Sequence, residues 1–144
     1  MTPSTRSSHP GTARQRGFTL VEMLVVVAMV AILGAVAYPS YAAQITKGRR
    51  ADAKQALVEL AQKLERFYTE RGTYAGATLG GSGLYASTSP GGYYSLAITS
   101  QTADGFTITA APLGSQTSDS CGTLGYNQIG DRSVSAGASV AQCW

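Results

Sequence analysis

The chain has 144 residues, of which 13% are charged, with a formal net charge of +3 and a pI near 9.0. That length allows one modest domain plus a membrane segment. Three of the eleven basic residues, Arg6, Arg14 and Arg16, precede Gly17, so the eight that remain equal the eight acids. The only histidine, His9, also precedes Gly17, so the remainder excludes histidine acid–base chemistry and His–zinc sites.

Residues 1–16 hold Ser, Thr, Pro, Gly and Arg without apolar periodicity and read as a disordered, positively charged leader. From Phe18 to Tyr38 the chain is apolar, with Glu22 its only charged residue. At ~1.5 Å per helical residue this run matches a hydrocarbon core of roughly 30 Å. Two processing readings compete. An ordinary signal peptide would use Ala35-Val36-Ala37 and leave Tyr38 as the first residue. Cleavage between Gly17 and Phe18 would instead keep the run as the mature N-terminus. The interrupting Glu22, the length of the run and the helical pattern continuing past Ala37 favour the second. Lys47, Arg49, Arg50 and Lys54 balance Arg14 and Arg16 across the run, so basic residues alone do not fix its orientation.

Pro39 removes a helical hydrogen bond and predicts a kink near Gly34–Pro39. Beyond it Ala53, Ala56, Leu57, Leu60, Ala61, Leu64, Phe67 and Tyr68 recur at steps of three and four, one face of an amphipathic helix. Asp52, Gln55, Glu59, Gln62, Lys63, Arg66 and Glu70 form the opposite face. Glu59 and Lys63 have favourable i,i+4 spacing, and Gly72 is placed to cap the helix. Residues 73–92, rich in Gly, Ser, Thr and Tyr, read as a long functional loop. Alternation predicts strands over Tyr93–Thr99 and Phe106–Ala110, joined by a turn at Thr102–Gly105. A third strand near Thr123–Gln128 and a fourth near Arg132–Ser135 complete a small antiparallel sheet packed on the helix stripe. The fold class is α+β, divided into a leader 1–17, an apolar helix 18–41 and a head 42–144. The head comprises an amphipathic helix 42–72, the loop 73–92, and a sheet with its C-terminal loop over 93–144.

Cys121 and Cys143 are the only cysteines, and an even pair after an export-like start reads as a disulfide. Closing about 22 residues would stabilise the head by roughly 3 kcal/mol. The rival, free or metal-binding thiols, lacks the histidines to complete a tetrahedral site. Catalytic motifs are absent, and Asp104, Asp119 and Asp131 sit in turn contexts. Asp119-Ser120 and Asn127…Asp131 offer oxygen ligands without the EF-hand spacing. No catalytic, cofactor or metal residue is therefore expected. Lys47, Arg49, Arg50 and Lys54 form a basic cluster suited to anionic lipid or a neighbouring subunit. From Gly72 onward one Arg faces three Asp, a poor electrostatic footprint for DNA.

A carboxylate in the apolar layer costs about 2.5–3.5 kcal/mol on insertion scales and needs a partner. Glu22 has two readings. Locally, an acid in the first turn complements the helix dipole, worth about 0.3–1 kcal/mol. Between subunits, cleavage after Gly17 creates an amine at Phe18 that Glu22 of another copy can pair with.

Gly17-Phe18-Thr19-Leu20-Val21-Glu22, with Pro39 beyond it, resembles the prepilin peptidase site and helix of type IV pilin precursors. The resemblance implies cleavage after Gly17, N-methylation of Phe18 by the prepilin peptidase/methyltransferase, and recruitment of subunits through Glu22. It implies insertion in the inner membrane with a periplasmic head, then assembly with other pilin subunits by the pilus machinery into an extracellular filament. Motility and adhesion are the roles such pili serve. Cys121 and Cys143 match the cysteines bounding the family's C-terminal loop. The Cys121-Gly122-Thr123-Leu124 start and Cys143-Trp144 end resemble a subgroup containing minor pilins, some acting in DNA uptake. Type II secretion pseudopilins share the N-terminal motif but usually lack the disulfide-closed loop.

Overall fold

The computed structural model describes residues 17–144, so the leader features, His9 and the three leading arginines, lie outside the described residues. The chain divides at Pro39 into two compact units. Helix α1, Leu20–Arg71, carries the apolar run of the first unit and continues into the second. Its start is chemically defined. Thr19 lies outside the helix, and its Oγ1 accepts the Glu22 N–H at 3.2 Å, satisfying one of the amide donors that a helix N-terminus leaves without an internal partner. Helical residues stand on both sides of Pro39.

In the second unit α1 carries the stripe that its spacing predicts. Ala53, Ala56, Leu57, Leu60, Ala61, Leu64 and Phe67 are buried, and Tyr68 is partly buried against them. Burying each leucine is worth about 1.5–3 kcal/mol. The helix ends at Gly72, which adopts φ +69 and donates its N–H to the Tyr68 carbonyl at 2.7 Å. A left-handed residue here costs glycine least, which is why the pattern stops where it does.

Four strands form one antiparallel sheet in the order β1-β2-β3-β4: β1 Tyr94–Gln101, β2 Phe106–Pro112, β3 Leu124–Asn127 and β4 Arg132–Val134. Each lies within a few residues of its expected place. Tyr94 and Leu96 on β1 and Phe106, Ile108 and Ala110 on β2 join the helix stripe in one core. The 73–92 loop lays two isolated bridges, Leu79 with Tyr85 and Thr88 with Ser95. The second protects the outer edge of β1. Cys121 and Cys143 form the expected disulfide, with Cα atoms 5.8 Å apart, and Cys143 ends a short helix α2, Val140–Cys143.

Two expectations are corrected. Glu59 does not close an ion pair with Lys63: its carboxylate accepts the Tyr85 hydroxyl at 2.7 Å and the Gln55 amide at 2.9 Å. A partly buried tyrosine bond outcompetes a solvated pair worth a few tenths of a kcal/mol. The exposed helix pair is Arg66–Glu70, at 3.1 Å. Asp119 is not a solvated turn residue. It is buried and bound to Arg50.

Candidate functional site

Three places in the described residues carry candidate function: the apolar part of α1, the loop held against the head, and a buried clasp behind the disulfide. The apolar part has no partners of its own. Every residue from Gly17 to Ile45 is exposed, Phe18 by 78%. One helix here is long and apolar enough to cross a membrane. An exposed apolar surface of that length requires lipid or other helices around it.

Gly17 and Phe18 lie in non-helical backbone just ahead of this surface, and Glu22 lies in its first turn. Among the described residues no ion-pair partner meets the Glu22 carboxylate. Thr19 and Glu22 stand three apart, the spacing of a capping box, and the Thr19 half of that box is formed. The signal was present in the sequence as Thr-x-x-Glu ahead of an apolar run. The bond uses the Glu22 main chain, so the Thr19 cap does not depend on the acid itself.

The polar face of α1 receives the loop. Tyr74 donates its hydroxyl to Glu65 at 2.9 Å, Tyr85 donates to Glu59, and the Gly91 N–H reaches Asp52 at 3.1 Å. Burial, reinforced by these carboxylates, pushes both the Tyr74 and the Tyr85 hydroxyl up to about 12. In turn the Tyr85 bond, with the Gln55 bond behind it, holds Glu59 below its ordinary value. Three helix carboxylates, of which sequence reading places Asp52 and Glu59 on the polar face and does not single out Glu65, therefore fix the loop's course.

The clasp joins α1 to both ends of the disulfide loop. Arg50, 8% exposed, grips Asp119 with two bonds, Nε to Oδ2 at 3.0 Å and Nη2 to Oδ1. Its Nη1 also donates to the Gln142 carbonyl at 3.4 Å, beside Cys143. Asp119 further accepts the Cys121 N–H, the Tyr94 hydroxyl and the Gln116 amide. Burial alone would raise the Asp119 carboxyl. The Arg50 bond, the Cys121 amide and the Arg50 charge outweigh it and hold the group below its usual range. Burial also raises the Tyr94 hydroxyl, a shift the Gln116 bond opposes and Asp119 reinforces.

The basic cluster is thus not one lipid-facing patch. Lys47 is exposed, but Arg49 donates to Ser115 at 2.8 Å and lies over the Tyr93 ring at 4.2 Å. Arg50 is in the clasp, and Lys54 donates to the main-chain oxygen of Trp144 at 3.0 Å. Asn127 and Asp131 make the turn expected of them, with the Asp131 N–H on the Asn127 side chain at 2.8 Å, and Asp104 stays exposed between β1 and β2. Among the described residues no cluster of metal-ligating side chains occurs.

Comparisons with known proteins bear on these places. The sequence model of the family described as type IV minor pilin ComP, DNA uptake sequence receptor, matches residues 39–125. That of the prokaryotic N-terminal methylation motif matches residues 12–38. Over 62 residues the chain is 36% identical to the type IV major pilin protein PilA of Myxococcus xanthus, 43% of this chain and 28% of that one. Over 59 residues it is 37% identical to prepilin peptidase-dependent protein D of Escherichia coli, 41% of this chain and 40% of that one. The matches therefore span less than half of either relative. A type IV pilin from Shewanella oneidensis superposes with TM-score 0.49 at 37% identity, over 69% of this chain and 97% of that one. The non-core minor pilin PilV of Neisseria meningitidis superposes with TM-score 0.53 at 18% identity, over 69% and 94%, a likeness of fold alone.

Proposed function

The chain belongs to the type IV pilins, in the family described as type IV minor pilin ComP, and from that membership we propose that it is a minor structural subunit of a pilus. It is made as a single-pass inner-membrane precursor, is cut between Gly17 and Phe18, and is methylated on the new Phe18 amine by the prepilin peptidase/methyltransferase. Assembly with other pilin subunits then exchanges lipid for neighbouring helices around the apolar run. Pro39, which cannot donate a helical hydrogen bond, supplies the local opening in that helix. Cys121 and Cys143 close the surface loop of the head, which does no catalysis.

The observation that carries this reading is the exposure of every residue from Gly17 to Ile45, a stretch in which Glu22 is the only charged residue. A helix that stayed in lipid would gain nothing from an acid there. A helix that must find the amine of a neighbouring subunit gains register from it. N-terminal sequencing and intact mass of the mature protein test it: the expected start is methyl-Phe18, and a start at Tyr38 would overturn it. Recovery in sheared surface fibres is expected, whereas confinement to a secretion apparatus would favour a type II pseudopilin.

A second reading has its own support. The matched family is described as a DNA uptake sequence receptor, over a stretch covering most of the head. On this reading the subunit captures DNA at the filament surface. Salt-dependent binding of duplex DNA by the full chain in detergent is expected, and its absence at low salt would remove the reading while leaving the structural role intact.

A further inference from the structure

The Cys121–Cys143 bond lies inside the head: Cys121 is 1% exposed and Cys143 0%. Thiol–disulfide exchange requires an external thiolate to reach one of the two sulfurs. A disulfide buried to this degree therefore exchanges only when the chain around it opens locally. Two segments cover the bond, and they are held by different means.

The segment around Cys121 is built into the sheet. Gly122 lies so near the residues after β4 that a Cβ there would meet the Ser135 Oγ at 2.6 Å. The Ser135 N–H donates to the Thr123 carbonyl at 3.0 Å, and the Thr123 N–H donates to the Ser135 hydroxyl at 2.9 Å. Leu124, the next residue, opens β3 and is fully buried. The segment bearing Cys143 has no such ladder. Helix α2 is four residues long, too short to persist by its own hydrogen bonds, and its Val140 is 38% exposed. Side chains hold it instead. Arg50 Nη1 donates to the Gln142 carbonyl at 3.4 Å, and the Lys54 ammonium donates to the Trp144 main-chain oxygen at 3.0 Å. The Trp144 indole donates to the Ser133 carbonyl at 3.3 Å, stacks on Tyr126 and lies 5.2 Å from the Arg132 guanidinium. Arg50 bonds to both segments: Asp119 stands two residues before Cys121, and Gln142 one before Cys143.

We propose that α2 with Trp144 is a gate over the disulfide, and that Arg50 is the positioning residue that keeps it closed. With α2 off α1, an external thiolate attacks one sulfur, forms a mixed disulfide and releases the other cysteine as a thiolate, which takes up a proton. A second external thiolate then releases the first cysteine, so two external thiols become one disulfide while the protein's disulfide becomes two thiols. Oxidation is the reverse, with an external disulfide as the oxidant. With α2 on α1 neither direction proceeds. The head thus admits thiol and disulfide reagents, small or carried by another protein, before its C-terminal loop docks and refuses them afterwards. This gate is independent of the pilus-subunit reading.

The full chain in detergent, without denaturant, is treated with excess dithiothreitol, and free thiols are trapped with a maleimide and counted by mass. Acrylamide quenching of Trp144, the only tryptophan, reports the position of α2 in the oxidised protein. Arg50→Met is expected to speed reduction by roughly tenfold to a hundredfold, the factor that a hydrogen bond from a charged group is worth, and to raise Trp144 quenching with it. Where that variant fails to fold, Arg50→Met with Asp119→Leu removes the buried charge as well and is expected to show the same acceleration. Leu60→Ala, in the core further along α1, is expected to lower the urea midpoint and leave the reduction rate unchanged. Helical circular dichroism certifies the fold of each variant. A wild-type reduction rate in a folded Arg50 variant would overturn the gate. So would a Leu60→Ala protein reduced as fast as the Arg50 variant, because reduction would then run through unfolding of the whole head. Acceleration with Trp144 quenching unchanged would place the opening at Cys121 and overturn α2 as the gate.

Discussion

Glu22 and Asp119 are two carboxylates in places that disfavour charge, and the chain treats them differently. Asp119 is buried, but Arg50 meets it with two bonds, and Cys121, Tyr94 and Gln116 take its remaining capacity. Glu22 stands in an apolar surface, and its own main-chain N–H is capped by Thr19 while its carboxylate meets no cation among the described residues. A charge answered within the chain fixes how that chain folds. On the proposed reading, a charge left for another molecule would fix how chains assemble. The head answers its buried charge internally, and the apolar helix leaves Glu22 without a cation among the described residues.

The strongest way to break this contrast is to strip Asp119 of its function. Asp119→Ala leaves the Arg50 guanidinium buried without a counter-charge, and losing one partner of such a pair costs about 3–5 kcal/mol. Urea unfolding of the head is expected to show a loss of that size, with Arg50→Met, Asp119→Leu recovering much of it. A double apolar variant as unstable as the single one would mean that the clasp's neighbours, and not the charge, are what suffers.

Removing the disulfide probes the same corner with a smaller effect. Cys121→Ser, Cys143→Ser opens the closed loop, spanning 22 positions, and is expected to cost roughly 3 kcal/mol. Because Arg50 reaches both the Asp119 end and the Gln142 end of that loop, the loop is expected to remain docked in the doubly substituted protein. Hydrogen exchange at the main-chain amide of position 121 in this variant checks this: protection should persist while Arg50 is present and vanish when Arg50→Met is added.

What the sequence disclosed about these regions follows from the range of each interaction. The Ala53–Phe67 stripe, the Tyr94–Leu96 and Phe106–Ala110 alternations and the Gly72 cap are local patterns, each readable within a turn or a strand. The disulfide was legible because only two cysteines exist. The Arg50–Asp119 pair joins residues 69 positions apart and has no periodicity, so Asp119 looked like one more turn residue and Arg50 like one more surface cation. Counting charge by segment sets Arg132 among three aspartates, and only the fold sets it beside Lys54. Thr19 is the exception: its three-residue spacing to Glu22 is local and legible as Thr-x-x-Glu.

Acid titration sharpens the contrast more finely. The Asp119 carboxyl is held below its usual value in the folded protein, so its contribution is complete above the unfolded value of about 3.9. The contribution is lost as pH falls through the lower, folded value. The stability gap between wild type and Asp119→Asn is therefore expected to be constant from pH 7 to about 5 and to narrow below about 4. Urea midpoints at successive pH values check it, and a gap that widens on acidification would reverse the sign.

The smallest effect on folding belongs to Glu22, and it is also the most informative. An acid in the first turn is worth about 0.3–1 kcal/mol to its own helix, so Glu22→Ala should leave the urea midpoint of the head unchanged. The capping role and the pairing role can then be separated. Thr19→Ala removes the bond that starts the helix and keeps the charge, whereas Glu22→Gln keeps a side chain able to close a capping box and removes the charge. If Glu22 waits for the Phe18 amine of another subunit, Glu22→Gln abolishes incorporation into sheared fibres as fully as Glu22→Ala, with cleavage after Gly17 largely intact. If its task is the helix start, Glu22→Gln assembles normally and Thr19→Ala does not. Quantifying processed protein in the membrane and in the fibre fraction for these three variants decides between a charge that serves its own chain and one that serves the next.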